Sequence, residues 1–145
     1  MRISVFNSRE LQGTILLLKA LPRDAAAEIR RANKSVIAPV WKEAVRGETR
    51  TALQVRVLSD TTRVSVSDQN VTLSAATVGR PLSGGGTPAQ LFAGTEFGSS
   101  RFKQFGTRAS KGRVVMTAAA RVIPRIASLW VQTTIRTFYE KFEGK

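Results

Sequence analysis

A chain of 145 residues, 42% hydrophobic and 23% charged, has the length of one domain and enough apolar content to bury one core. It has no Cys and no His, which excludes thiolate nucleophiles, disulfide frameworks, zinc fingers and every catalytic dyad or triad that needs an imidazole. Its formal charge of +13, from 23 Lys and Arg against 10 Asp and Glu, points to an anionic partner.

The apolar start, Met1 to Phe6, is too short for a signal peptide and is followed by Arg9 and Glu10. The longest aliphatic run, Ile15 to Leu18, falls far below the roughly 20 residues of a membrane span, so a cytoplasmic product without a membrane partner is expected. Ser8 has the chemistry of a helix N-cap, and Leu11, Ile15 and Leu18 follow at helical spacing, which predicts a short first helix. Pro22 is placed to open a second helix. From Asp24 to about Arg46 the stripe Ala25, Ile29, Ala32, Val36, Val40 and Ala44 predicts a long amphipathic helix, with Pro39 kinking or breaking it near Ile37.

The period then changes from 3.6 to 2. Leu53, Val55 and Val57, then Val64 and Val66, then Val71, Leu73 and Ala75 alternate with their neighbours and predict three antiparallel strands in a meander. Ser59-Asp60-Thr61-Thr62 and Ser67-Asp68-Gln69-Asn70 supply the turns. Residues 79 to 112 hold Gly79, Gly84, Gly85, Gly86, Gly94, Gly98, Gly106 and Gly112 among Phe92, Phe97, Phe102 and Phe105. Such a segment reads as a long, extended, mobile loop whose four phenylalanines dock on a neighbouring subunit. From Val114 to Phe142 a last helix is expected, bent or broken at Pro124, with one apolar stripe through Val115, Ala119, Val122, Ile126, Leu129 and Thr133. A second stripe runs through Val131, Ile135, Phe138 and Phe142. The second stripe exceeds what one core contact uses and is therefore a candidate subunit interface. The expectation is a single α+β domain over residues 1–145, with N-terminal helices, an antiparallel sheet of three or more strands, a long Gly/Phe-rich loop and a long C-terminal helix.

No motif carries catalysis. Gly84-Gly85-Gly86-Thr87 lacks the Gly-Lys-Ser/Thr ending of a phosphate loop, and Asp24 with Glu28 suits the positive end of a helix dipole. No enzyme, cofactor or metal site is expected. Trp41 and Trp130 suit core or interface packing better than base stacking. Arg121, Arg125 and Arg136, with Ser128 and Gln132 between them, fall on one polar stripe of the last helix: a solvated face, or a contact with DNA phosphates or an acidic protein surface. Residues 101–145 alone carry ten basic and two acidic residues, which favours the contact.

The order of elements resembles the small tail-completion or neck proteins, the head-tail connectors of long-tailed phages (siphophages). The resemblance rests on Leu16-Leu17-Leu18-Lys19-Ala20-Leu21-Pro22, the Ala/Arg-rich helix from Ala25 to Arg46, the strands after it, the element Gly94-Thr95-Glu96-Phe97-Gly98-Ser99 and the closing amphipathic helix. Two family features are replaced: Gly47-Glu48-Thr49 stands where a Pro, Thr and Gly element is usual, and Gly112-Arg113-Val114 where a Pro-Phe pair is usual. The resemblance implies a structural virion protein: a homo-oligomeric ring, commonly six-fold. The ring would meet head-completion, tail-terminator or tail-tube proteins, with genome DNA passing through its bore without sequence specificity. The alternative from the same charge is a sequence-independent nucleic-acid-binding protein.

Overall fold

The computed structural model of the chain describes residues 1–4, 21–67, 71–82, 85–105, 109 and 111–142. The helix expected over Ser8 to Leu18 and most of the Leu16 to Pro22 element lie outside the described residues. The fold is α+β. In chain order it comprises β1 (Arg2–Ser4), α1 (Arg23–Glu48), the single turn α2 (Ala52–Gln54), which continues as a π-helix over Val55–Ser59, β2 (Arg63–Val66), β3 (Val71–Ser74), α3 (Pro88–Phe97), a 3-10 turn (Lys103–Phe105) and α4 (Val115–Phe142).

The two long helices pack antiparallel. Asn33 near the start of α1 donates its Nδ2 to Thr134 Oγ1 near the end of α4 (3.0 Å), and at the other end Arg121 of α4 donates to the Ala44 carbonyl of α1 (3.4 Å). The buried face of α1 carries Ala25, Ala26, Ile29, Asn33, Ile37, Trp41, Ala44 and Val45, whereas Ala32, Val36 and Val40 are only half-buried. The expected stripe is therefore rotated, because a polar residue, Asn33, sits at the centre of the true face and is accommodated there by its threonine partner.

Neither proline breaks its helix. Pro39 is exposed, as is Ser35, whose carbonyl loses its helical donor and can turn to water; Pro124 and Ala120 repeat the arrangement on α4. The lost bond falls on the wet side in both helices, and the buried side holds each together. Trp41 and Trp130 are both fully buried in the shared core, where truncation of either to Ala would cost about 3–5 kcal/mol. The Trp41 indole also donates to the Ser74 carbonyl (3.1 Å), tying α1 to the sheet.

The sheet has three antiparallel strands in the order β1-β3-β2, so the expected meander is corrected. The third strand is the N-terminal Arg2–Ser4, and Leu53 to Leu58 is helical. Thr51 and Gln54 explain that reversal. They form a capping box, Gln54 N–H to Thr51 Oγ1 (3.1 Å) and Thr51 N–H to Gln54 Oε1 (3.3 Å), which starts a helix where the alternation of Leu53, Val55 and Val57 suggested a strand. Gln54, Val57, Leu58 and Thr61 then turn inward at helical spacing. The hairpin of β2 and β3 follows the sequence, with Val66 paired to Val71; the turn residues 68–70 lie outside the described residues.

Residues 79–112 are not one extended loop. A second capping box, Thr87 with Gln90, and Pro88 in the first turn start α3, which packs on the π-helix. Among the described residues, no helix is long and apolar enough to cross a membrane.

Candidate interaction surfaces

The element Gly94 to Ser99 holds the last helix in place. Glu96, at the end of α3, is fully buried, and its carboxylate accepts from four consecutive backbone N–H groups at the start of α4: Arg113 (3.1 Å), Val114 (3.2 Å to each oxygen), Val115 (2.8 Å) and Met116 (2.9 Å). These are donors that a helix N-terminus leaves without intrahelical partners, and the negative charge faces the positive end of the helix dipole. The surrounding glycines are required by contact. A Cβ on Gly112, whose φ is +80°, would lie 2.6 Å from Glu96 Oε1, and one on Gly94 would lie 2.7 Å from the Phe105 ring. Gly98 ends α3 with φ +75°, and the Phe97 carbonyl accepts from Ala109 N–H (2.7 Å). Glu96 thus acts as a tertiary cap, and no group of three or more acidic side chains that could hold a metal ion occurs among the described residues.

The four phenylalanines of this region do not form one outward patch. Phe92 packs partly against the core and stands edge-to-face with Phe97 (6.1 Å). Phe105 is half-buried against Gly94, and only Phe102, edge-to-face with Phe105 (6.2 Å), is exposed. Of this set, Phe102 offers a new contact most readily.

The far half of α4 is inverted. Thr133, Thr134 and Thr137 are buried, Thr134 against Asn33 of α1, while Ile135 is 45% and Tyr139 51% exposed, with half-buried Phe138 stacked edge-to-face on Tyr139 (6.1 Å). Val131 is half-buried against the core, and the Phe142 side chain lies outside the described part of the structure. Tyr139 belongs to this surface although the sequence stripe omits it; its ring neighbours Phe138 directly along the helix.

Arg121, Arg125 and Arg136 are all exposed, as are Ser128 and Gln132 between them. Arg121 is partly engaged, by an ion pair with Glu48 (3.0 Å) and its bond to the Ala44 carbonyl. Arg121 and Arg125 share a groove of about 420 Å³ between α1 and α4 with Glu43, so acidic side chains attend this end of the stripe.

A second basic surface lies on the sheet. Arg2 and Arg63 both pair with Ser74, and Ser65 pairs with Thr72, while Val64, Val71 and Leu73 turn into the core. With Lys34 of α1 these residues line a shallow groove of about 530 Å³. Nearby, the Met1 amino group donates to the Ala75 carbonyl (3.3 Å), and burial, then the Arg2 charge, hold its pKa below the ordinary value. The alternation of Arg63 and Ser65 marks a polar strand face in the sequence, but nothing local places Arg2 in the same row. Comparisons with protein-family models, curated proteins and solved structures match nothing to this chain.

Proposed function

We infer that the chain is a structural virion protein, a ring-forming subunit of the head-tail connector, neck or tail-completion complex of a long-tailed phage, joining head to tail around the DNA channel. The observation that carries the assembly part is the inverted far half of α4. A helix that buries three threonines and leaves Ile135 and Tyr139 outside is matched to a second apolar surface. The phage assignment rests on the resemblance of the element order and of Gly94 to Ser99. The +13 charge suits a subunit that gathers around DNA or against acidic neighbours.

Sedimentation and native mass spectrometry test the assembly. The chain should form a closed oligomer, and Ile135→Asp should leave a monomer whose stability changes by no more than about 0.5 kcal/mol, because the position is exposed in the subunit. An Ile135→Asp variant that assembles normally would remove this face from the interface. Loss of the chain from its phage should give filled heads and separate tails; intact particles would defeat the neck assignment. The second reading, a free sequence-independent nucleic-acid binder, is favoured by the basic groove on the sheet. It requires tight duplex binding by the monomer, whereas a ring subunit binds weakly until assembled.

A further inference from the structure

We propose that the outer face of the sheet is a binding groove for the phosphodiester backbone of duplex nucleic acid, taken without regard to base sequence. Cross-strand neighbours share a face, so the pairing of both Arg2 and Arg63 with Ser74 puts two guanidinium groups on either side of one hydroxyl. Two strand spacings separate their Cα atoms, about 10 Å. Ser65 and Thr72 make the next row on the same face, and Lys34 adds a third cation from α1.

Among the described residues, none that lines this groove is acidic, in contrast to the arginine stripe of α4, which has Glu43 and Glu48 beside it. Guanidinium, ammonium and hydroxyl donors are the groups that hold phosphate oxygens and fix a protein on a backbone. Among the described residues the groove has no aromatic side chain to serve as a stacking platform for single-stranded bases or as the aromatic anchor typical of a protein interface. Nor do the described residues of its lining include an Asn or Gln to pair with adenine edges. With Arg2, Lys34, Arg63 and Ser65 all exposed along it, the groove suits an extended anion better than an enclosed small molecule.

The site belongs to the monomer and does not depend on ring formation, so the two can fail separately. Anisotropy of a short labelled duplex, titrated with the full chain over a range of salt, tests it. Weak binding is expected, with Kd of order 10⁻⁴ to 10⁻⁶ M. Combined Arg2→Ser, Lys34→Ser and Arg63→Ser should reduce the magnitude of the log-affinity against log-salt slope by about 0.9 per cation, roughly 2.7 in all. Arg63→Ser alone, which leaves the N-terminal strand untouched, should take away about 0.9. The charge-matched set Arg121→Ser, Arg125→Ser and Arg136→Ser should reduce the slope less than half as much. An unchanged slope in the sheet variants, or an equal loss in the α4 set, overturns the site. Displacement of the duplex by polyglutamate of equal charge as effectively as by unlabelled duplex overturns the nucleic-acid assignment in favour of an acidic protein partner.

Discussion

The two halves of α4 obey opposite rules on one continuous helix. Up to Trp130 the buried positions are Val115, Ala118, Ala119, Val122, Ile126 and Trp130, and the start is capped by a buried carboxylate; beyond it the buried positions are threonines, Val131 and Phe138 are half-buried, and Ile135 and Tyr139 are exposed. The first half satisfies the subunit alone. The second buries threonines and leaves Ile135 and Tyr139 exposed, and this is the surface on which the proposed assembly depends. Substitutions of the buried residues in either half should therefore act on folding, and those of the exposed Ile135 and Tyr139 on the proposed assembly.

The largest effect is expected at Glu96. Glu96→Ala removes the acceptor of four N–H groups in a fully buried site and should destabilise the subunit by about 3–5 kcal/mol, measured by urea denaturation. Glu96→Gln should recover only part of that loss, because it keeps one carbonyl oxygen but turns an NH₂ toward N–H donors and removes the charge from the helix dipole. A Glu96→Ala variant of native stability would mean the cap is replaceable by water and the first half of α4 is held by packing alone. Gly112→Ala acts on the same contact from the other side. A Cβ 2.6 Å from Glu96 Oε1 at φ +80° should cost about 2–3 kcal/mol, and the double variant with Glu96→Ala should cost less than the sum.

The seam beneath the second half should respond more mildly. Thr134→Val keeps volume but removes the Oγ1 that accepts from Asn33 Nδ2, leaving a buried amide donor without its partner; about 1–2 kcal/mol of destabilisation is expected in thermal or urea unfolding. Combined Asn33→Leu and Thr134→Val replaces both partners with apolar groups and should restore most of the stability. If the pair remains as unstable as the single variant, packing volume rather than hydrogen bonding decides this seam.

What the sequence disclosed follows the range of the interaction. The long helices were legible because their apolar spacing repeats over many turns, and the β2-β3 hairpin because its alternation is bounded by turn residues. Two helix starts, Thr51-x-x-Gln54 and Thr87-x-x-Gln90, have the spacing of capping boxes, a local signal that outweighs the alternation at Leu53, where a strand was expected. The Glu96 cap was not legible, since its donors lie 17 to 20 residues further on and only the fold brings them together. The sheet groove is hidden for the same reason. Arg2 enters the row of Arg63 through a pairing 72 residues away, between β1 and β3, that no local pattern encodes. On α4 the spacing put Ile135 and Arg121, Arg125 and Arg136 at exposed positions, but it missed the exposed Tyr139 and counted Val131, which packs against the core, in the outer stripe.

The smallest effects on the subunit are expected along the arginine stripe, and there the comparison of the two halves can be sharpened. Arg121 lies in the first half, pairs with Glu48 at 3.0 Å and is largely exposed, so Arg121→Gln should cost no more than about 1 kcal/mol, less at high salt. Arg125 and Arg136 have no ion-pair partner among the described residues, and their replacement by Gln should shift stability by less than about 0.5 kcal/mol. Their value, if any, belongs to the assembled state. Should the stripe face DNA in a ring, each arginine removed would lower the magnitude of the salt slope of DNA retention by about 0.9, with Arg136→Gln showing the full effect and Arg121→Gln less, because Glu48 already neutralises part of its charge. Should it face an acidic protein ring, the same substitutions would slow docking and make it less salt-sensitive, as removal of rim charges does. A triple variant with unchanged docking, DNA retention and infectivity would identify the stripe as a solvated helix face, and would leave the far half of α4 distinguished from the first by its apolar surface alone.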